Sequence, residues 1–474
     1  MSTLTTEDRQ LHFERGVHSD AFLIDTYEKL VLPRIIEEKM LSLLRQGKIS
    51  KWFSGIGQEA ISVGAAMVLH PDEYILPMHR NLRAAGMDVT DIGVVATPMV
   101  YYATHELATG SGVMVTGSHN PPEYNGLKMM VAGDTLASEA IQDLRRLVES
   151  GKFASGKGTV ETRDMMPAYL ERIAGDVKLG RLMRVAIDCG NGSPGAVAPA
   201  LFRKLGCEVQ ELFCEVDGDF PNHHPDPSKP ENLVDLVEAV KSGHAELGLA
   251  FDGDGDRLGV VTKNGKIIYP DRQLMLFAAD VLQRNPGAKV IFDVKCTRQL
   301  FGWIRDHGGE PVLWKTGHSL IKAKLKETGA PLAGEMSGHN FFKERWYGFD
   351  DGLYAGARLL EILSRAPDVT QALEGLPDSV TTPELNVALA KEGENHALIA
   401  GLQKTARFEG ATEVITIDGL RVEYPDGFGL MRASNTTPVV VLRFEADTAE
   451  ALSRIQADFR RVLSAALPGA KLPF

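Results

Sequence analysis

Cysteine is scarce. Cys189, Cys207, Cys214 and Cys296 are the only four in 474 residues, and no two form a CxxC pair. That argues against a disulfide framework and fits reduced thiols in a reducing compartment. Long apolar runs are missing too, so no segment approaches the span of a bilayer and no membrane partner is expected. There is no excess of positive charge: 51 basic side chains stand against 63 acidic ones, a net of -12. No global basic field exists to neutralise nucleic-acid phosphates, so a nucleic-acid partner is excluded. A small anionic ligand in a local basic pocket remains open. The N-terminus is polar and acidic, without a signal-peptide pattern, which makes the cytoplasm the default location. The sequence leaves any partner protein unidentified.

What is present is ordinary globular material, 44% hydrophobic and 24% charged, with a length prior of about three domains. Residues 1–19 are polar. From Asp20 a helical period runs through Leu23, Tyr27, Leu30, Val31, Ile35, Met40 and Leu44, interrupted by Pro33. A second helical stretch, rich in Ala, Gly and Ser, covers Gln58–Leu69, and a first strand is expected at Tyr74–Leu76. From Arg83 the texture changes to strands alternating with helices. Strands are expected at 89–92, 113–115, 127–130, 184–188, 208–213, 247–251 and 290–294, with helices near 100–107 and 138–150. Gly151–Gly158 is a Gly/Lys/Ser loop and an expected boundary region, and the four prolines of Pro221–Pro230 enforce an irregular loop. The alternation argues α/β with sheets covered on both faces. Beyond Val380 the pattern shifts to strand runs at 413–417, 420–424 and 439–444 and a terminal helix at 448–467, a smaller α+β domain.

Four stretches carry chemistry. The first is Thr116-Gly117-Ser118-His119-Asn120-Pro121-Pro122 after the apolar run Val113–Val115. It presents a hydroxyl on a stiff loop at a strand end. The second is Phe251-Asp252-Gly253-Asp254-Gly255-Asp256-Arg257. Three carboxylates at alternate positions repel one another unless a cation sits among them. Oxygen ligands suit a hard ion, Mg²⁺ above all. An EF-hand would place Glu where Lys263 stands, so that calcium motif is excluded. The third, Gly334-Glu335-Met336-Ser337-Gly338-His339, offers a carboxylate, a hydroxyl and an imidazole that can hydrogen-bond a polyol. The fourth, Arg432-Ala433-Ser434-Asn435-Thr436-Thr437-Pro438, makes a phosphate cradle from an Arg fork, hydroxyls and backbone N–H groups. Taken singly, the last two look much like polar turns.

In this order and at domain-sized spacings, the four resemble the α-D-phosphohexomutase superfamily over about residues 83–474, and GEMSGH resembles its phosphomannomutase/phosphoglucomutase branch. The resemblance implies three α/β domains with mixed sheets and a small C-terminal α+β domain, each lending one loop to a central cleft. The expected limits are 83–165, 166–266, 267–378 and 379–474. It implies that Ser118 is a phosphoserine and that Asp252, Asp254 and Asp256 bind one Mg²⁺ together with it. Lys128, His119 and Arg257 are the implied acid/base candidates, Lys128 first among them. Lys295 and His318 line the cleft, Glu335, Ser337 and His339 hold sugar hydroxyls, and Arg432, Ser434, Asn435 and Thr436 hold the phosphate not being transferred. The implied reaction interconverts hexose 1- and 6-phosphates of mannose or glucose, with glucose 1,6-bisphosphate as intermediate and activator.

Upstream, Val31–Met40, Gly55-Ile56-Gly57-Gln58-Glu59-Ala60 and Pro77–Asn81 resemble the start of a branched-chain 2-oxo acid dehydrogenase E1 α subunit, over residues 20–82. That family binds thiamine diphosphate through GDG followed by paired Asn. Gly253-Asp254-Gly255 has no such pair behind it. The segment 1–82 is therefore expected to be a helical extension, joined near Leu82-Arg83 as a chimera. It stands where the opening strands and a sugar-facing Arg of a mutase would be, so the first domain is expected to be incomplete, with an unpaired strand edge. Two other readings follow from that: an inactive sugar-phosphate-binding protein, or a dehydrogenase fragment.

Overall fold

The computed structural model describes residues 82–121, 126–137, 139–150, 153–391, 393–435 and 437–474. The helices and strand expected upstream, the dehydrogenase-like segment and Thr436 lie outside the described residues. The chain divides into a small unit, whose described part is residues 82–91 with 146–150 and 153–161, and a large one formed by 92–145 and 162–474. In the small unit β1 (Val89–Asp91) lies beside a short strand at Val160–Thr162, and Thr90 Oγ1 donates to Glu161 at 3.1 Å.

The large unit opens with the helix Thr97–Glu106, which Pro98 starts without wasting a backbone N–H. It is buried from Thr97 to Thr104. It packs on a three-stranded antiparallel sheet, β2 (Gly112–Val115), β3 (Leu127–Val131) and β4 (Asp134–Thr135), in that order. Among the described residues β2 has β3 as its one strand partner. Gly112 is required there: a Cβ would come 2.7 Å from Thr104 Cγ2.

With Val160–Thr162 counted as β5, the next sheet holds β6 (Arg184–Asp188), β7 (Glu208–Leu212), β8 (Leu247–Phe251), β9 (Leu258–Thr262) and β10 (Ile267–Ile268). Its order is β10-β9-β8-β6-β7. Strands β7, β6 and β8 run parallel, while β9 returns antiparallel to β8 with Phe251 opposite Leu258. Leu-Gly-Leu-Ala-Phe in β8 is buried at every position, which is why it reads as an unbroken apolar run rather than an alternating one. A third sheet, β11 (Lys289–Asp293), β12 (Glu310–Trp314), β13 (Leu332–Gly334) and β14 (Asn340–Phe342), is also mixed, in the order β12-β11-β13-β14. The last is antiparallel. It comprises β15 (Val380–Thr381), β16 (Leu385–Ala388), β17 (Glu413–Ile415), β18 (Leu420–Tyr424), β19 (Gly427–Ala433) and β20 (Val439–Ala446), with the helices Glu394–Thr405 and Ala449–Ala466 against it.

Aromatic side chains tie three helices of the large unit together. Trp346 stacks on Tyr354 at 4.2 Å between ring centroids and meets Tyr169 edge-on at 6.1 Å. Tyr102 lies 6.2 Å away on the other side. Below them Tyr169 donates its hydroxyl to Asp351, which caps the helix Gly352–Leu363 by accepting from the Tyr354 N–H at 2.8 Å. Trp346→Ala is expected to destabilise the fold by about 3–5 kcal/mol. A urea titration followed by circular dichroism checks this, and an unchanged midpoint would rule out the cluster as a joint of the core.

Candidate active site

Ser118 leaves the end of β2 on the loop that returns as β3. Its φ is +55°, a left-handed conformation unfavourable for a residue with a Cβ and costing on the order of 1 kcal/mol. The conformation is held by its own N–H, which donates to Thr116 Oγ1 at 2.7 Å. Thr116 Oγ1 in turn donates to Asp254 Oδ2 at 3.0 Å. The hydroxyl of Ser118 is thereby placed 3.5 Å from Asp252 Oδ2 and 3.2 Å from His119 Nδ1.

The three aspartates come from the tight hairpin between β8 and β9. Gly255, at φ +77°, turns the chain. Gly253 lets two loops touch, since a Cβ there would stand 2.3 Å from the Ser118 carbonyl oxygen. Gly253→Ala is expected to lower activity about 100-fold through a displacement of the serine loop of order 1 Å. Steady-state kinetics test this, and wild-type rates in a folded variant would refute it.

Asp252, Asp254 and Asp256 are all buried and can each offer an oxygen within 4.8 Å of the others. Lys128, from β3, reaches into the group, with Nζ 2.7 Å from Asp254 Oδ2 and 2.5 Å from Asp256 Oδ2. Thr97 Oγ1 adds a bond to Asp254 Oδ2 at 2.6 Å. Burial, then Asp256 and Asp254, push the Asp252 carboxyl well above the ordinary range. Burial works against the charge on Asp256, but Lys128 and His339 outweigh it and hold that carboxyl well below. Burial would likewise lower Lys128, yet Asp254 and Asp256 prevail and raise it well above its usual value. His119 is the opposite case: burial and Arg257 push it down to about 3, leaving a neutral ring beside Ser118.

Asp254 Oδ1 is buried without a hydrogen-bond partner, and Asp256 Oδ1 has only the long 3.3 Å approach of His339 Nε2. An unpaired carboxylate oxygen in a buried cluster of three carboxylates fits a hard divalent cation, which takes such ligands in octahedral array.

The GEMSGH turn lies directly behind this hairpin. Leu258 N–H donates to the Gly338 carbonyl at 3.2 Å, and Arg257 and His339 form an antiparallel bridge. His339 Nε2 is 3.3 Å from Asp256 Oδ1, and its Nδ1 lies 3.2 Å from Glu335 Oε2 and 2.8 Å from Ser337 Oγ. Burial would lower this imidazole, but Asp256 outweighs it and the ring is pushed up to about 9. Arg257 donates its N–H to Asp252 Oδ1 at 3.1 Å. Ser118, His119, Lys128, Arg257, the three aspartates, Glu335, Ser337 and His339 thus form one connected group. His318 joins it through its ring, 5.6 Å from that of His339.

The remaining predicted residues have other partners. Lys295 pairs with Glu384 at 3.1 Å. Arg432 Nε donates to Asp418 Oδ2 at 3.0 Å, and the same oxygen accepts the Thr316 N–H at 2.9 Å. The arginine is thereby linked to the loop carrying His318. The Ser434 carbonyl accepts from Asn395 Nδ2 at 2.9 Å. Asn435 and His318 line a cavity of about 780 Å³ with Lys315, His396 and Asp418. Thr97, Thr116, Asp350, Glu384 and Asp418 escaped the sequence reading. Of these only Thr116, inside the serine motif, had a sequence signal.

A hydroxyl on a strained loop, facing three buried carboxylates able to hold a divalent ion, is a site suited to phosphoryl transfer. The comparisons with known proteins agree. Profiles of phosphoglucomutase/phosphomannomutase match in four pieces: alpha/beta/alpha domain I at residues 73–155, domain II at 167–265, domain III at 269–380 and the C-terminal domain at 384–462. The chain belongs to the phosphoglucomutase/phosphomannomutase family. It is 62% identical over 409 residues to a phosphoglucomutase of Neisseria gonorrhoeae, covering 86% of this chain and 89% of that one. It is 56% identical over 419 residues to a phosphomannomutase/phosphoglucomutase of Pseudomonas aeruginosa, covering 88% and 90%. A solved phosphoglucomutase/phosphomannomutase family protein from Burkholderia thailandensis is 60% identical, with a TM-score of 0.79 over 84% of this chain and 87% of that one. The domain I match begins at residue 73, inside the stretch that resembles a dehydrogenase subunit. None of these matches supports a chimera with that subunit.

Proposed function

We propose that the chain interconverts hexose 1-phosphates and hexose 6-phosphates, of mannose, glucose or both, by passing a phosphoryl group through Ser118. The observation that carries the reading is the placement of Ser118 Oγ 3.5 Å from Asp252 Oδ2, at the mouth of a buried three-carboxylate cluster. The 56% and 62% identity to named mutases over most of the chain supports the same reaction. Neither an inactive binding protein nor a dehydrogenase fragment has a comparable observation behind it.

In this reading each of the four domains, 83–165, 166–266, 267–378 and 379–474, lends one loop. Asp252, Asp254 and Asp256 with Ser118 would hold one Mg²⁺, which when bound screens phosphate charge and polarises phosphorus. Lys128, His119 and Arg257 are the acid/base candidates beside Ser118, Lys128 first among them, and Lys128 also steadies Asp254 and Asp256. His119 Nδ1 lies 3.2 Å from Ser118 Oγ. Arg257 anchors Asp252 and fixes the GEMSGH turn. Glu335, Ser337 and His339 orient sugar hydroxyls. Lys295, Arg432, Ser434, Asn435 and Thr436 hold the far phosphate. The phosphoryl group leaves Ser118 for a sugar hydroxyl, giving a 1,6-bisphosphate. After that intermediate turns over, its other phosphoryl group returns to Ser118. No helix among the described residues is long and apolar enough to cross a membrane, and a phosphosugar is the one partner this reading requires.

A coupled assay with mannose 1-phosphate and with glucose 1-phosphate, each with Mg²⁺ and catalytic glucose 1,6-bisphosphate, tests the proposal. Formation of the 6-phosphates is the expected result, and no turnover of either sugar would overturn it.

A further inference from the structure

Asp350 has no part in the four motifs, yet it sits at their meeting point. It follows β14, opposite Phe341 in an isolated antiparallel bridge, and is fully buried. Its Oδ1 accepts from Lys322 Nζ at 2.8 Å, and its Oδ2 lies 3.2 Å from His318 Nδ1. Lys322 is held from above by the ring of Tyr101, 4.3 Å from Nζ. The carboxylate also stands within 4.8 Å of ligand atoms of Asp256 and His339.

His318 lies beside this carboxylate. It is the first residue of the helix His318–Thr328, and Gly317 before it takes a φ of +132° that few side chains allow. The Gly317 N–H is tied to Glu335 Oε1 at 2.6 Å, so the helix start is pinned to the GEMSGH turn. Nδ1 of His318 and Oδ2 of Asp350 are both buried and 3.2 Å apart, without a hydrogen bond of standard geometry to any group, whereas the His318 side chain as a whole is 28% exposed. The exposed edge is therefore the one that carries Nε2, and it borders the cavity shared with Lys315 and Asn435. Burial and the nearby Lys322 keep this ring from protonating.

We infer that Asp350 is a positioning residue that holds His318 as the Nδ1–H tautomer, so that the Nε2 lone pair faces the cleft and accepts a hydrogen bond from a hexose hydroxyl. The inference rests on the mutase reading above and refines its account of His318. In a neutral imidazole one nitrogen donates and the other accepts, and the bond made by the first decides the role of the second. A phosphate offers mainly acceptors and is served by Lys295 and Arg432. A lone pair in the same cleft is of use only to a group that brings a hydrogen, which on a phosphohexose is a sugar hydroxyl.

The test combines spectroscopy with kinetics on the full chain. In the ¹⁵N-histidine spectrum, with the signal assigned by its loss in His318→Asn, His318 is expected to carry its proton on Nδ1. In Asp350→Asn the amide can donate to Nδ1, so the proton should move to Nε2. KM for the hexose phosphate should then rise about tenfold, the factor for losing one net hydrogen bond. Combining Asp350→Asn with His318→Asn should cost no more than His318→Asn alone, because one acts through the other. An Nε2–H or doubly protonated His318 in the wild type would overturn the inference, as would effects that multiply in the double variant. Should Asp350→Asn fail to fold with Lys322 left unpaired, the wild-type spectrum decides alone. A wild-type chain without mutase activity would refute the functional reading and still leave the tautomer to be read.

Discussion

Ser118→Ala is expected to reduce turnover by at least about 10⁴-fold, the scale on which enzymes lose rate when a covalent nucleophile is removed. The neighbouring hydroxyls cannot substitute. Thr116 Oγ1 is committed, accepting from the Ser118 N–H at 2.7 Å and donating to Asp254 at 3.0 Å. Thr97 Oγ1 is bound to Asp254 at 2.6 Å and buried. The fold should be indifferent to the change. Alanine has the same Cβ as serine and bears the same strain at φ +55°, so stability should stay within about 0.5 kcal/mol of wild type. Two measurements check the assignment. The coupled assay reads the rate, and intact-mass spectrometry after incubation with glucose 1,6-bisphosphate reads whether one phosphoryl group has been gained. Wild-type rate in the variant, or a phosphoryl group still acquired by it, would remove Ser118 from the mechanism.

The parts of this site that could be read in the sequence are those in which one short stretch holds both the chemistry and its geometry. Val113–Val115 followed by Thr-Gly-Ser reads as a strand running into a loop, and the structure has β2 at Gly112–Val115 with the hydroxyl just beyond. The alternating Asp and Gly of 252–256 carry their own turn. The return strand β9, Leu258–Thr262, was not read, although it makes that turn a hairpin. Strand β19 was missed for a physical reason. Gly427 and Gly429 weaken its strand signal, but a Cβ at Gly429 would lie 2.4 Å from Phe459 Cε2, so packing of the last helix requires the glycine. Tertiary pairings left still less trace. GEMSGH alone is a polar turn, and its meaning comes from the 3.3 Å approach of His339 to Asp256, 83 positions earlier. Lys128 stands in the sequence as the first acid/base candidate that the family resemblance implies. Its two aspartate partners, both distant in the chain, left no trace there.

Asp252→Asn should move stability and activity in opposite directions. Asp252 is fully buried, and its charge is opposed first by that burial and then by Asp256 and Asp254. Its compensation is thin: the Arg257 N–H at 3.1 Å on Oδ1, the Arg257 guanidinium at 3.6 Å and the Ser118 hydroxyl at 3.5 Å on Oδ2. Asparagine has the same shape, keeps a carbonyl oxygen for the Arg257 N–H, and removes one of three crowded anions. In the presence of a chelator the variant should therefore melt above the wild type, since removing an imperfectly compensated buried charge is stabilising. With Mg²⁺ the order should narrow or reverse. A ligand stabilises by RT ln(1 + [L]/Kd), and the variant, with a carboxylate fewer, binds the ion more weakly. Turnover should fall about 100-fold or more, because the ion's screening of the phosphoryl group is weakened in the transition state. Thermal melts with chelator and across a Mg²⁺ series, read beside the coupled assay, separate these effects. A variant that melts below wild type in chelator would show that Asp252 is held as a structural anion. An undiminished Mg²⁺ shift would take Asp252 out of the metal site. The combination expected here, a gain in metal-free stability with a loss of rate, is what a carboxylate kept for catalysis at the expense of the fold should give.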